Sequence, residues 1–236
     1  GYDALSTVTT GDSNTAIGYE CMKSVDPGAT NNVAVGRGAS SVITTGSDNV
    51  SIGNSAGAFT TAGTKNTAVG GGALIFNTIG DHNTATGYLA LYANTEGDYN
   101  TATGYEALKA NTTGSQNTAV GVKALATNTE GTENTAVGYN AGYSVTIGSS
   151  NTFLGRAAGL LLTEGASNVI IGIDAAEEMT TANSCVLIGG RAGFKNNGDD
   201  NVAVGFKALY NNTTGTTNVA IGRDALFTNS TGHWNV

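Results

Sequence analysis

The chain has 236 residues, with 18 acidic and 10 basic side chains, and a formal net charge of −8. Only 12% of the residues are charged, so it lacks the clustered Lys and Arg needed to bind nucleic-acid phosphates or an anionic membrane surface. No apolar run reaches the roughly 18 residues of a membrane span. Glycine occurs 35 times and proline once, which excludes collagen.

One five-residue motif, Asn-Thr-Ala-Val-Gly, recurs along the whole chain with close variants. Its first residue falls at positions 14, 32, 49, 66, 83, 100, 117, 134, 151, 168, 185, 201, 218 and 235. The step is 17 residues, except for one step of 18 (14 to 32) and one of 16 (185 to 201). A fixed period of this length predicts a single repeat array over 1–236, in which stacked coils bury a core that no coil could bury alone.

Within one repeat we number the places from the Asn of the motif. Place 1 is Asn in every coil except the one with Cys185, place 5 is always Gly, and place 8 is Ala in every coil except the one with Cys21. Places 1–5 alternate and are rich in Val, Ile and Thr, which predicts a short strand. We expect a second strand at places 7–10. Glycines at places 5 and 15 indicate corners, where positive φ or close backbone approach is least costly.

These elements predict an all-β fold, a parallel β-solenoid of about fourteen 17-residue coils. Places 2 and 4 of the strand face away from places 1, 3 and 5, and neither side carries charge. A solvated strand face normally carries charged or long polar groups, and a continuous apolar stripe is too large for a soluble monomer. We therefore expect a homo-oligomer whose parallel chains share that stripe.

The Asn side chains at place 1 are interpreted as a structural ladder, because identical amides stacked at the strand spacing can bond to one another. Inside the coil, the residues at places 9 and 12 vary together in size. Leu at place 9 occurs with Asn at place 12, and a small residue at place 9 occurs with an apolar residue at place 12. Leu5 with Val8 and Gly193 with Asn196 depart from this tendency. The ladder comprises Asn32, Asn49, Asn66, Asn83, Asn100, Asn117, Asn134, Asn151, Asn168, Asn201 and Asn218.

Neither a catalytic nor a cofactor or metal site is expected, and the chain is predicted not to be an enzyme. His82 and His233 lie in turns about nine coils apart, and no nucleophile-base grouping accompanies them. Cys21 and Cys185 are too distant in the array for a disulfide and each fills a small place. A calcium site at 196–200 is a weak alternative, because Asp does not recur there at ligand spacing.

Tyrosines at two repeat places are the candidate surface contacts. They could stack on the sugars of a cell-surface glycan or receptor, or they could only cover the coil edges and the seam between chains. Those at place 6 are Tyr88, Tyr105 and Tyr139, and those at place 10 are Tyr92, Tyr143 and Tyr210.

The motif Asn-Thr-Ala-Val-Gly-Tyr-x-Ala-Leu with its glycine turn resembles the head repeats of trimeric autotransporter adhesins. It is still more similar to the repeats of phage and virus tail fibres that often precede a chaperone domain. The resemblance covers the whole chain and implies a left-handed β-roll of three chains in an extracellular or virion location. It carries over fold and role but no binding residue.

The sequence therefore predicts a fibre shaft or adhesin head, a rigid rod for attachment to a host surface. Its partners would be copies of itself and a glycan or receptor, without nucleic acid or membrane span. A self-assembling extracellular filament is the first alternative. An ice-binding solenoid is a weaker one, because Thr at place 2 gives way to Val in several coils.

Overall fold

A computed structural model describes residues 1–6, 11–25 and 28–236. The predicted pair of Leu5 with Val8 and the turn that contains Pro27 thus fall partly outside the described residues. Over those ranges the chain consists of short strands and turns, without a helix. It divides into two compact units, Gly1–Asn117 and Thr118–Val236.

In the first unit the strands pair in parallel in the order β1-β3-β5-β6-β7-β8, and β2 pairs with β4. Each long-range pair is in register, so that Thr84 lies opposite Thr101. The strands are β1 (Thr15–Ile17), β2 (Ser24–Val25), β3 (Val33–Val35), β4 (Val42–Ile43), β5 (Val50–Ile52), β6 (Thr67–Val69), β7 (Thr84–Thr86) and β8 (Thr101–Thr103).

In the second unit, seven parallel strands follow one another in sequence order from β9 to β15. The strands are β9 (Thr118–Val120), β10 (Thr135–Val137), β11 (Thr152–Leu154), β12 (Val169–Ile171), β13 (Val186–Ile188), β14 (Val202–Val204) and β15 (Val219–Ile221). The predicted all-β parallel solenoid is confirmed. Its left-handed sense and its trimeric state remain predictions.

The predicted second strand at places 7–10 is wrong, because these places form turns. Places 7 and 9 take left-handed backbone conformations, as in Leu89 (φ 55°) and Leu91 (φ 49°). Alternating left-handed residues cannot maintain the extended pleat of a strand. The backbone still bonds to the next coil: Leu91 N–H donates to the Ala107 carbonyl at 3.0 Å. Among the described residues, short second strands occur only at places 11–12, in β2 and β4.

The glycine corners have two different causes. At place 5, Gly87 has φ +135°, and a Cβ there would collide with the Gly104 carbonyl oxygen. At place 15, Gly80 has no left-handed φ, but a Cβ would lie 2.5 Å from the Gly97 carbonyl oxygen. Place 5 thus needs glycine both for the close approach of the next coil and for its backbone freedom, whereas place 15 favours glycine through close approach alone and holds Ala182 in one coil.

The core of each coil is narrow, so a large side chain at one place is accompanied by a small residue at a neighbouring place. Alanines at places 3 and 8, such as Ala102 and Ala107, are fully buried, as is Leu108 at place 9. Where place 9 is glycine, a larger residue at place 3 or 12 fills the space. Gly193, which pairs with Asn196 against the predicted tendency, lies beneath Leu187 of place 3: a Cβ would be 2.7 Å from its methyl groups.

Candidate functional site

The outward side of the strands carries the same uncharged residue pattern in both units, and we call its residues the strand face. It comprises places 2 and 4 of the thirteen strands that lie at places 2–4. All are Thr, Val, Ile or Leu, and none is buried. The residues are Thr15, Ile17, Val33, Val35, Val50, Ile52, Thr67, Val69, Thr84, Thr86, Thr101, Thr103, Thr118, Val120, Thr135, Val137, Thr152, Leu154, Val169, Ile171, Val186, Ile188, Val202, Val204, Val219 and Ile221.

The strand face exposes aliphatic groups in continuous rows. Leu154 is 46% exposed and Ile52 is 41% exposed, although each lies in the middle of its unit's strand order. In-register pairing places each residue beside its equivalent in the next coil, as Val186 lies beside Val202. The place-3 residues between them, such as Phe153 and Ile170, are fully buried. The strand face therefore presents rows of uncharged, mostly β-branched side chains to solvent.

The place-1 Asn side chains form a hydrogen-bonded ladder in each unit. Asn83 Oδ1 accepts the backbone N–H of Asn100 at 2.9 Å, and Asn83 Nδ2 donates to the Gly97 carbonyl at 2.7 Å. In the second unit Asn151 bonds to Asn134 and Gly165 in the same way. Each amide thus joins two coils and also closes its own coil. Because its donor and acceptor groups are used internally, this row has no evident capacity for a ligand.

A second ladder, inside the core at place 12, was not recognised from the sequence. Asn94 Nδ2 donates to Asn77 Oδ1 at 2.7 Å and to the Gly97 carbonyl at 2.9 Å. Asn111 continues the row with a 2.7 Å bond to Asn94 Oδ1. The recurrence of Asn at place 12 is the sequence signal for this second ladder. From the sequence, we interpreted only the size of the Asn side chain and not its capacity for hydrogen bonding.

Both cysteines are free and buried. Cys185 interrupts the ladder of place-1 Asn side chains, which we call the outer ladder to distinguish it from the inner ladder at place 12. Its backbone N–H still donates to Asn168 Oδ1 at 3.0 Å, while its Sγ accepts from Asn196 Nδ2 at 3.3 Å. Asn201 in the next coil donates instead to Asn196 Oδ1 at 2.9 Å. Burial raises the pKa of the Cys185 thiol to about 11, so this thiol is not a nucleophile near neutral pH.

The tyrosines at place 6 are exposed, and those at place 10 are half-buried. Tyr88 and Tyr105 stack with ring centroids 5.7 Å apart, and Tyr210 stacks between Phe194 and Phe227 at 4.9 and 5.1 Å. Rings stacked along the coil axis turn their faces to one another and their edges to solvent. The remaining candidates stand apart from these stacks: Tyr139 is exposed, Tyr143 is half-buried, and Tyr92 meets Phe76 edge-on at 5.1 Å.

A charged cluster surrounds Asp174, whose side chain is nearly buried. Arg156 Nη2 lies 2.6 Å from Asp174 Oδ1, and Arg191 Nε lies 3.7 Å from Oδ2. Burial and the Asp174 charge raise the pKa of Glu177. Because both arginines remain about half exposed, this cluster is better suited to bridging coils than to chemistry.

The histidines and the acidic turn are engaged in contacts between coils. His82 stacks on Tyr99 with centroids 4.8 Å apart, and His233 Nδ1 accepts the N–H of Thr216 at 3.0 Å. Asp199 Oδ1 accepts the N–H of Asn183 at 2.8 Å. Over residues 1–6, 11–25 and 28–236, no three His, Cys, Asp or Glu side chains are grouped so as to hold a metal ion.

The comparisons with known proteins give no family for this chain: no family model, no curated protein and no solved structure matches it. The resemblance to adhesin-head and tail-fibre repeats therefore remains a prediction. Within the described ranges, the structure contains no helix of the length and apolarity that a membrane crossing demands.

Proposed function

We propose that this chain is a structural repeat array that associates with copies of itself through the strand face. It would serve as a fibre shaft or adhesin head in an extracellular or virion attachment structure. The observation that carries this proposal is the strand face itself: 26 outward positions without a single charge. Rows of exposed aliphatic side chains of this kind mark an interaction surface.

A second copy of the chain is the partner that fits this surface. Equivalent side chains repeat at the strand spacing of about 4.8 Å, and a partner must match that spacing over many coils to bury the rows. Another copy supplies the same spacing and the same uncharged groups. Closed symmetry is the usual outcome for identical chains, and we propose three parallel chains.

The ladders favour a mechanical role. Each coil bonds to the next through the backbone and through side-chain amides, as Asn100 does with Asn83. A segment can be cut by a protease only after it opens locally, and opening one coil breaks bonds on both of its sides. We therefore propose that the array spaces or presents a surface rather than catalysing a reaction.

The first test is the mass of the protein in solution by light scattering, with length by electron microscopy. We expect a discrete particle of three chains. The variant Leu154→Lys places a charge on the strand face and should shift the particle to monomers. A matched control is Ile147→Lys, because Ile147 is similarly exposed, at 49%, but lies at place 14. It should leave the mass unchanged.

Two outcomes would contradict the proposal. A clean wild-type monomer would show that the strand face needs no partner. A polydisperse series of long filaments would favour the self-assembling filament over a closed particle.

Ice binding is a second candidate because one part of the strand face is made only of threonine. Thr84 and Thr86 lie in register beside Thr101 and Thr103 in the next coil. In the other coils place 4 is Val, Ile or Leu even where place 2 remains Thr, so the surface with two threonine columns spans only these two coils. Thermal hysteresis that is lost in Thr86→Lys would support ice binding, and its absence in the wild type would exclude it.

A further inference from the structure

Two consecutive glycines open a notch in the wall of the first unit. Gly71 and Gly72 occupy places 6 and 7, and no other coil has glycine at both places. The coils on either side carry Asn54 and Ser55, and Tyr88 and Leu89. These residues and Ile75 line an open cleft of about 430 Å³, in which the Leu89 side chain covers Gly72 and the place beside Gly71 is left unfilled. That volume lies within the range of small-molecule sites.

One wall of the notch is an aromatic ring with a free face. A Cβ placed on Gly71 would lie 3.4 Å from Tyr88 Cδ2 and 3.7 Å from its Cε2, so the ring overhangs the position where the side chain is missing. The other face of Tyr88 stacks on Tyr105, with rings 17° from parallel. The stack holds the ring in place, and Tyr88 remains 55% exposed.

The opposite wall offers polar groups that are neutral. Ser55 Oγ donates to Asn54 Oδ1 at 3.0 Å, which orients the amide. The Gly72 N–H donates to the Asn54 carbonyl at 2.9 Å, which fixes the two coils at the notch. Ile75 and Leu89 add apolar surface. None of the lining side chains is charged near neutral pH, so a charged ligand would find no counterion there.

We propose that this notch binds a single neutral pyranose ring. Its C–H face would pack on Tyr88, and its hydroxyl groups would bond to the Asn54 amide and the Ser55 hydroxyl. An aromatic face opposite an amide and a hydroxyl is complementary to a sugar, which has one apolar face and a polar rim. The notch lies at places 6 and 7 rather than on the strand face, so this inference does not depend on the proposed assembly.

The test is a titration of the wild-type protein, ¹³C-labelled at its tyrosines, with methyl β-glucopyranoside and methyl β-galactopyranoside. We expect the Tyr88 ring signal to shift with at least one sugar, with a Kd of about 1 mM, typical of a small polar ligand with one stacking contact. Gly71→Tyr fills the notch and should weaken binding at least about tenfold. Tyrosine fits place 6 in the next two coils, at Tyr88 and Tyr105, so the variant should fold.

The matched control is Gly190→Tyr, which adds the same side chain at place 6 of a coil whose place 7 is Arg191 rather than glycine. It should bind the sugar as the wild type does. If Gly71→Tyr fails to fold, Asn54→Ala keeps the Tyr88 signal, removes the amide that would bond to the sugar, and should weaken binding instead. Absence of any Tyr88 shift with either sugar at tens of millimolar would overturn the proposal, as would equal binding by Gly71→Tyr. Light scattering of the same samples reports on the assembly separately.

Discussion

Phe153 fills the space that Gly159 leaves empty in the same coil. A Cβ on Gly159 would overlap the Phe153 ring atoms Cε1 and Cδ1, and a Cβ on Gly142, one coil earlier, would lie 2.8 Å from Cδ2. Phe153 is fully buried although the equivalent place in most coils is alanine. One large side chain at place 3 therefore requires glycine at place 9 in two coils.

This packing predicts strong coupling between the two residues. Phe153→Ala should lower the free energy of unfolding by about 3–5 kcal/mol, because it leaves a cavity. Gly159→Leu alone should cost about 1–3 kcal/mol or more through overpacking. The double variant restores Ala at place 3 and Leu at place 9, as in the coil with Leu125, whose φ is also left-handed, at 49°, although place 12 keeps Leu162 in place of Asn. Its loss should be well below the sum.

Denaturant unfolding of the wild type, both single variants and the double variant gives the coupling energy. If the loss of unfolding free energy in the double variant equals the sum of the two single losses, Phe153 and the residue at place 9 do not compete for the same space.

The period and the core positions could be predicted from the sequence because only a few residue types fit them. Glycine at place 5 and alanine at places 3 and 8 follow from close approach between coils. For places 7–10 the signal was present only in some coils, where place 7 is Gly72 or Asn140 and place 9 is Gly142, whereas Leu89 and Leu91 take the same left-handed conformation without glycine or asparagine. Their conformation is imposed by stacking on neighbouring coils rather than by local preference.

The candidate sites were only partly visible in the sequence. The uncharged strand face followed from the alternation of places 1–5. The inner ladder of Asn77 and Asn94 and the notch at 71–72 depend on which coils are neighbours at each place, and on ring orientation. The recurrence of Asn at place 12 indicates the inner ladder in the sequence, whereas its hydrogen bonds and the orientation of the Tyr88 ring appear only when the coils are stacked.

The outer ladder predicts that Asn83→Ala is strongly destabilising. The substitution removes an acceptor of the Asn100 N–H and a donor to the Gly97 carbonyl, both bonds between buried groups. The Gly97 carbonyl keeps its bond from Asn94 Nδ2, so only the buried Asn100 N–H loses its acceptor, and a loss of about 1–3 kcal/mol is expected in denaturant unfolding. Asn54→Ala, at an exposed place 6, should change the unfolding free energy by less than about 0.5 kcal/mol. Similar losses for both variants would show that the ladder contributes little.

Two adjacent glycines should respond oppositely to alanine. Gly70 has φ +133°, and its Cβ would lie 2.5 Å from the Gly87 carbonyl oxygen, which belongs to backbone that cannot move aside. Gly70→Ala should therefore cost about 3 kcal/mol or more, from strain and displaced backbone. Gly71 meets only ordinary contacts with Tyr88, and Gly71→Ala should be neutral or stabilise by up to about 1 kcal/mol. Thermal unfolding of the two variants provides the comparison, and equal melting temperatures would refute the assigned difference.

The Cys185 thiol predicts a specific loss of stability at alkaline pH. Burial raises its pKa from 9.0 to about 11, so the folded chain keeps the proton at pH values where the unfolded chain releases it. Stability from this group is therefore complete below about pH 9 and is lost as the pH rises towards 11, by about 2–3 kcal/mol in total. Cys185→Ala lacks this thiol but keeps Cys21 and all tyrosines and lysines, so their titration cancels in the comparison. The difference in unfolding free energy between the wild type and this variant, measured from pH 8 to 11, should shift in favour of the variant. A difference that stays constant over that range would show that Cys185 titrates as it does in the unfolded chain.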